Sequence, residues 1–232
     1  MPQLDLISNG TKNRRSALVL VDIQNDFITG SLPVPNAMDI IPLINQIRNE
    51  GKWEAGVYLT QDWHPLDHKS FSSNNDNAPL FSVIDIAGMG EQVMWPNHCV
   101  QGSHGAEFYP ELIRRDGDVI IRKGTNRNAD SYSGFGDASL EKSAEKTDLE
   151  RLLKAAGATD VYVCGLATDF CVSFTAKDAA RFGFQAHCIL SASRGITPEG
   201  CASETAAMKD LGVRIIEQWS AAQGATDPEK WQ

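Results

Sequence analysis

Residues Ala17-Leu18-Val19-Leu20-Val21 form an uninterrupted apolar run that ends on a carboxylate, Asp22. A run with no polar alternation has no face to give to water, so it predicts a strand buried on both sides within a parallel sheet, with a functional group at its carboxyl end. Three further runs read the same way: Gly56 to Thr60, Asp118 to Ile121 and Val161 to Cys164. Ala186 to Leu190 and Val213 to Ile216 are weaker candidates.

Between these runs, Ile40 to Asn49, Leu149 to Ala156, Val172 to Phe182 and Ser203 to Leu211 carry apolar residues near helical spacing. Strands alternating with helices predict an α/β fold: a doubly wound, mostly parallel sheet with helices on both faces. With 232 residues, one domain spanning 1–232 is expected, with peripheral tails at 1–15 and 220–232. Leu66 to Gly105 is the one long stretch without periodicity. Loops of that length in compact domains usually serve function.

In doubly wound sheets ligands bind outside the carboxyl ends of the strands. Asp22, Asp62, Lys123 and the segment after Leu166 all fall there. The segment Cys164-Gly165-Leu166-Ala167-Thr168-Asp169-Phe170-Cys171-Val172 leaves a strand and opens a helix, which predicts the Cys171 sulfur near a helix N-terminus, where unpaired N–H groups stabilise a thiolate. Asp22 is placed to take the thiol proton, and Lys123 reaches the same edge. Asp62-Trp63-His64-Pro65 and Trp95-Pro96-Asn97-His98-Cys99 together offer one carboxylate and two imidazoles, a set that suits zinc, iron or manganese. His68 falls nearby and could supply a fourth ligand, but an extra histidine more often supports a ligand from behind or lies at the surface, and it is read so here.

Composition narrows the classes. The balance of 21 basic against 30 acidic side chains gives −9, without a basic cluster, so nucleic acid is not an expected partner. No apolar run approaches the roughly 20 residues of a membrane helix, and residues 1–16 lack the apolar core of a signal peptide, so a cytoplasmic protein without membrane contact is expected. Five cysteines with no C-x-x-C pair argue against a disulfide framework and a thiolate zinc site. A homo-oligomer stays open. Gly134-x-Gly136 lacks the third glycine of a dinucleotide fingerprint and does not directly follow a strand.

Five segments taken together resemble the nicotinamidase and pyrazinamidase branch of the isochorismatase-like hydrolases. They are Asp22-x-Gln24-x-Asp26-Phe27, Asp62-Trp63-His64-Pro65, Trp95-Pro96-x-His98-Cys99, Lys123-Gly124 with Tyr132-Ser133-Gly134-Phe135, and Ala167-Thr168-Asp169-x-Cys171-Val172. The resemblance implies hydrolysis of nicotinamide to nicotinate and ammonia through a Cys171 thioester, in NAD salvage. Cys171 would be the nucleophile, Asp22 the general base and acid, and Lys123 their charge partner. It also implies one divalent metal ion on Asp62, His64 and His98, zinc first with iron or manganese as alternatives. Phe27, Trp95 and Tyr132 would line the pyridine pocket, and the N–H groups of Ala167 and Cys171 would form the oxyanion hole, with a cis peptide between Leu166 and Ala167. The segment between His64 and His98 is longer than in the smaller bacterial members. A metal-water amidase with Cys171 as a packing residue, an amidase for a different small amide, and a catalytically silent scaffold are the rival readings.

Overall fold

The computed structural model describes residues 14–87, 90–136 and 146–220. Of the expected tails, all but Arg14, Arg15 and Ser220 lie outside the described residues. Arg14 pairs with Asp160, and the Arg15 N–H donates to Thr159 Oγ1 at 2.9 Å.

In chain order the elements are β1 (Ser16–Val21), α1 (Asn25–Ile28), α2 (Ile41–Glu50), β2 (Val57–Asp62), β3 (Val83–Ile86), β4 (Gly90–Val93), β5 (Val119–Lys123), α3 (Leu149–Ala155), β6 (Asp160–Leu166), α4 (Ser173–Arg181), β7 (Gln185–Arg194), α5 (Pro198–Asp210) and β8 (Arg214–Ile216). Six of the strands form one sheet in the order β5-β2-β1-β6-β7-β8. Every neighbouring pair is parallel. The chain builds outward from β1 through β2 to β5, then returns to the other side of β1 with β6. The winding therefore reverses between β1 and β6, and a crevice opens there at the carboxyl ends.

The two-residue period of β1 explains why its run is apolar throughout. Leu18 and Leu20 point to one face, where Ile40, Ile41, Ile44 and Ile47 cover them. Ala17, Val19 and Val21 point to the other, under Leu149, Leu153, Ala176, Ala179 and Met208. All five β1 side chains in this run are at most 1 % exposed, and burying each Leu or Val stabilises by about 1.5–3 kcal/mol. Thus α2 shields one face, and α3, α4 and α5 shield the other.

Several elements differ from the sequence reading: the short α1 was not expected, and β7 runs on to Arg194, past the expected Leu190. The long segment before Gly105 carries an antiparallel hairpin, with Val83 opposite Val93 and Ile86 opposite Gly90. Its strand β3 only alternates between exposed and half-buried positions, so its apolar period is weak. Helix α5 begins at Pro198, five residues before the apolar period starts, because Thr197 caps it by accepting the Gly200 N–H and Pro198 opens the first turn.

Candidate active site

Asp62 and Lys123 are register partners on the neighbouring strands β2 and β5. Parallel partners put their side chains on the same face, and Lys123 Nζ lies 2.5 Å from Asp62 Oδ1. The same ammonium is 2.9 Å from Asp22 Oδ2 and 3.3 Å from Cys171 Sγ, and it donates to the Ser131 carbonyl at 3.2 Å. One buried cation therefore joins groups from four chain segments. Asp22, Asp62 and Cys171 by themselves have the spacing of a metal group, but the Lys123 ammonium already bridges all three.

Asp22 turns the chain out of β1 with φ 51°, a left-handed conformation unusual for a residue with a side chain. Thr60 secures it twice: the hydroxyl donates to Asp22 Oδ1 at 2.6 Å and accepts the Asp22 N–H at 3.1 Å. The other oxygen, Oδ2, faces the Lys123 ammonium at 2.9 Å. Burial raises the Asp22 carboxyl above the usual range, with Lys123 pulling the other way. Burial opposes charge on Lys123, yet its carboxylate neighbours hold it well above the ordinary lysine value.

Cys171 sits in a kinked turn, Thr168–Val172, that precedes α4. As expected, Cys171 lies at the start of a helix, directly before Val172, the cap of α4. Burial pushes its thiol well above the usual range, while the Lys123 charge pulls it down. Ala167 opens the turn, its carbonyl accepting the N–H groups of Phe170 and Val172 at 3.0 Å each. The peptide bond between Leu166 and Ala167 is cis, the geometry the resemblance implied.

Asp62, His64 and His98 come together beside this cluster, with ligand atoms within 4.8 Å of one another. His64 Nε2 is 3.5 Å and His98 Nε2 3.9 Å from Asp62 Oδ2. Each ring turns its Nδ1 to a backbone carbonyl, His64 to Gly124 at 2.9 Å and His98 to Pro96 at 2.8 Å. That arrangement turns both Nε2 atoms toward the carboxylate and fits a metal ion. Gly124, at φ 64°, has to be glycine, because a Cβ would lie 2.3 Å from His64 Cε1. Burial opposes ionisation of Asp62, but Lys123 and the imidazoles keep its carboxyl well below the ordinary range. Burial and the neighbouring His64 hold His98 down at about 4, in the neutral form that a ligand requires.

His68 is fully buried against His64, with ring centroids 4.5 Å apart. Both its nitrogens are occupied: Nδ1 by Ser70, Nε2 by the Ala129 carbonyl at 3.2 Å. It supports His64 and offers no free ligand atom.

Phe27, Trp95 and Tyr132 line one cavity with Cys171, Ala167, Asp62, His64 and His98. Trp95 Nε1 donates to the Tyr132 hydroxyl at 3.2 Å, and both rings pack on Phe170. Every residue assigned to the site from the sequence thus borders this cavity or touches a residue that does. Leu32, Val34, Phe170 and Ile196 complete the apolar wall, and Gln24 braces Asp62 by accepting its N–H and donating to its carbonyl, both at 2.8 Å. Neither Thr60 nor Gln24 was given a role from the sequence. The strand-end position of Thr60, two residues before Asp62 on the same face of β2, was the available signal.

A parallel sheet whose winding reverses at a buried thiol, carboxylate and ammonium, beside a carboxylate-and-imidazole ligand group, defines a class of hydrolase-like α/β domain. The chain belongs to the isochorismatase domain family, whose model matches residues 16–219. It is 44% identical over 185 residues to a nicotinamidase of Acinetobacter baylyi, covering 79% of this chain and 83% of the relative. Among solved structures it resembles the Acinetobacter baumanii nicotinamidase and pyrazinamidase with a TM-score of 0.81 and 41% identity, over 91% of this chain and 99% of the other. The pyrazinamidase of Pyrococcus horikoshii, solved in complex with zinc, matches with a TM-score of 0.71 and 35% identity over 88% and 99%. No helix among the described residues is long and apolar enough to cross a membrane.

Proposed function

We propose that this chain is a nicotinamidase that hydrolyses nicotinamide to nicotinate and ammonia in NAD salvage, acting as one domain in the cytoplasm. The observation that carries the reading is the placement of Lys123 Nζ between Asp22 and Cys171 at the edge of an aromatic cavity that also receives Asp62, His64 and His98. The names of its relatives support the same substrate.

Asp22 takes the Cys171 proton, and the sulfur attacks the carboxamide carbon. The N–H groups of Ala167 and Cys171 receive the developing negative charge, a stabilisation worth about 2.7–4 kcal/mol per donor in such sites. The C–N bond breaks as Asp22 returns its proton to the leaving nitrogen, and ammonia departs. Asp22, ionised again, deprotonates the water that hydrolyses the Cys171 thioester to nicotinate and the free thiol. Lys123 stays protonated throughout and keeps Asp22 in place. A divalent ion on Asp62, His64 and His98, zinc by the donor set and by the Pyrococcus relative, would bind the ring nitrogen, directly or through water, and orient the ring. Phe27, Trp95 and Tyr132 hold the ring by apolar contact.

The test is ammonia release from nicotinamide by the wild type and by Cys171→Ala at equal metal content. Full dependence on Cys171 is expected. Turnover above about a hundredth of wild type in the variant would move the chemistry to a metal-bound water.

A further inference from the structure

Asp169 lies two residues before Cys171, is only 6% exposed and makes no ion pair among the described residues. Its carboxylate points away from the reacting groups, toward the segment after β7. Oδ1 accepts the Ile196 N–H at 2.9 Å, and Oδ2 accepts the Thr197 N–H at 2.9 Å and the Thr197 hydroxyl at 3.3 Å. The negative charge rests on these donors and on the N-terminal end of the thirteen-residue helix α5. The backbone closes tightly around it: a Cβ on Gly195 would lie 2.8 Å from Asp169 Oδ1 and 2.1 Å from Cys201 Sγ.

Ile196, the residue whose N–H this carboxylate holds, is part of the cavity wall with Ala167, Phe170 and Cys171. The same side chain thus fixes both the turn that carries the sulfur and the loop that closes the cavity. We propose that Asp169 is a positioning residue that sets substrate size, clamping Ile196 against the cavity so that a single six-membered ring is accepted and a larger fused ring is refused. The clamp is specific to a carboxylate. An asparagine would present an NH2 group to backbone N–H donors and would lack the charge that the helix end favours.

The inference rests on the nicotinamidase reading for its substrate, but the clamp itself has an independent readout. Amide hydrogen exchange at Ile196 and Thr197 is measured together with kcat and KM on nicotinamide and on quinoline-3-carboxamide, which adds a fused ring. Wild type, Asp169→Asn and Ile196→Ala are compared at equal metal content. In Asp169→Asn both amides exchange faster, KM for nicotinamide rises more than kcat falls, and the preference for nicotinamide over the larger amide drops by about tenfold or more. Ile196→Ala lowers that preference in the same direction with Thr197 exchange as in wild type, and it decides the matter should Asp169→Asn not fold. Unchanged exchange and preference in Asp169→Asn, or an unchanged preference in Ile196→Ala, overturns the proposal. A wild type that releases no ammonia from nicotinamide defeats the substrate reading alone, because exchange at the two amides still tests the clamp.

Discussion

Lys123 donates to the Cys171 sulfur at 3.3 Å although it ends β5, at the sheet edge, while Cys171 follows β6. The ammonium reaches that sulfur across the ends of β2 and β1, and the carboxylates of Asp62 and Asp22 stand at those two strand ends. Each strand end therefore contributes one charge or one nucleophile to a single buried contact set. Buried charges of this kind are stable only as a complete set, since each alone would meet the full penalty of leaving water.

Lys123→Met removes the only cation in the set and leaves two buried carboxylates facing a thiol. Breaking a buried pair in this way costs about 3–5 kcal/mol, which for a chain of this size lowers Tm by roughly 6–20 °C. Turnover falls by about 10²-fold or more, because Asp22 then holds its proton too tightly to act as a base. Thermal melts and ammonia release on the same preparation check both. A Tm within about 2 °C of wild type would contradict the pairing.

Thr60→Val is nearly isosteric but deletes the hydroxyl that both donates to Asp22 Oδ1 and accepts the Asp22 N–H. The orphaned groups are buried, so stability drops by about 1–3 kcal/mol. With Asp22 less well held, kcat decreases by roughly ten- to a hundredfold. KM stays near wild type, since Thr60 does not border the cavity. A variant whose KM rises while kcat is unaltered would mean that Thr60 acts on substrate binding.

How much of this was legible in the chain follows from what each residue depends on. The buried strand at Ala17 to Val21 declares itself because both its faces are apolar, and Asp22 stands out as the carboxylate that ends it. The positions of Asp62, Lys123 and Cys171 follow from the rule that strand ends converge at the reversal of winding, and the resemblance supplied the combination. Other features are products of tertiary packing. The hairpin β3–β4 was missed because one of its strands never buries a side chain fully. The upward pressure of burial on the Cys171 thiol comes from its packing among segments distant in sequence, which the local helix-end argument omits. Ile196 reads as an ordinary loop residue until Asp169 is seen to hold its N–H.

Removing the metal should affect the ring more than the nucleophile, because Lys123 joins Asp22 and Cys171 directly and only Asp62 is shared with the ligand group. Chelated wild type and His98→Ala, with metal content verified by elemental analysis, should both lose most of the advantage of nicotinamide over benzamide, which lacks the ring nitrogen. The loss should appear mainly in KM. Equal use of the two amides by the metal-loaded wild type would refute ring anchoring.

A final prediction concerns stability at acid pH, far from the cavity. His187 stacks on Tyr162 with centroids 4.2 Å apart and planes 5° from parallel, and its Nε2 lies 3.0 Å from Asp160 Oδ1. Burial lowers the His187 pKa below the ordinary imidazole value, outweighing the attraction of Asp160. Burial would raise Asp160, but hydrogen bonds from His187, Arg14 and Thr159 hold it well below the ordinary carboxylate range. Both shifts have the same sign in linkage: on acidification the unfolded chain takes up protons that the folded chain resists, so stability falls as pH falls. The His187 contribution is complete above its unfolded value of about 6.5 and is lost as pH drops toward the folded pKa. The Asp160 contribution persists until pH falls below about 3.9. One proton sets the limiting slope, about 1.4 kcal/mol per pH unit. His187→Gln keeps a side-chain donor for Asp160 but cannot titrate. Melts of both proteins from pH 8 to pH 5 should therefore coincide in shape above pH 7, with the wild type falling more steeply below it. Parallel curves through the whole range would show that His187 is not held neutral by the fold.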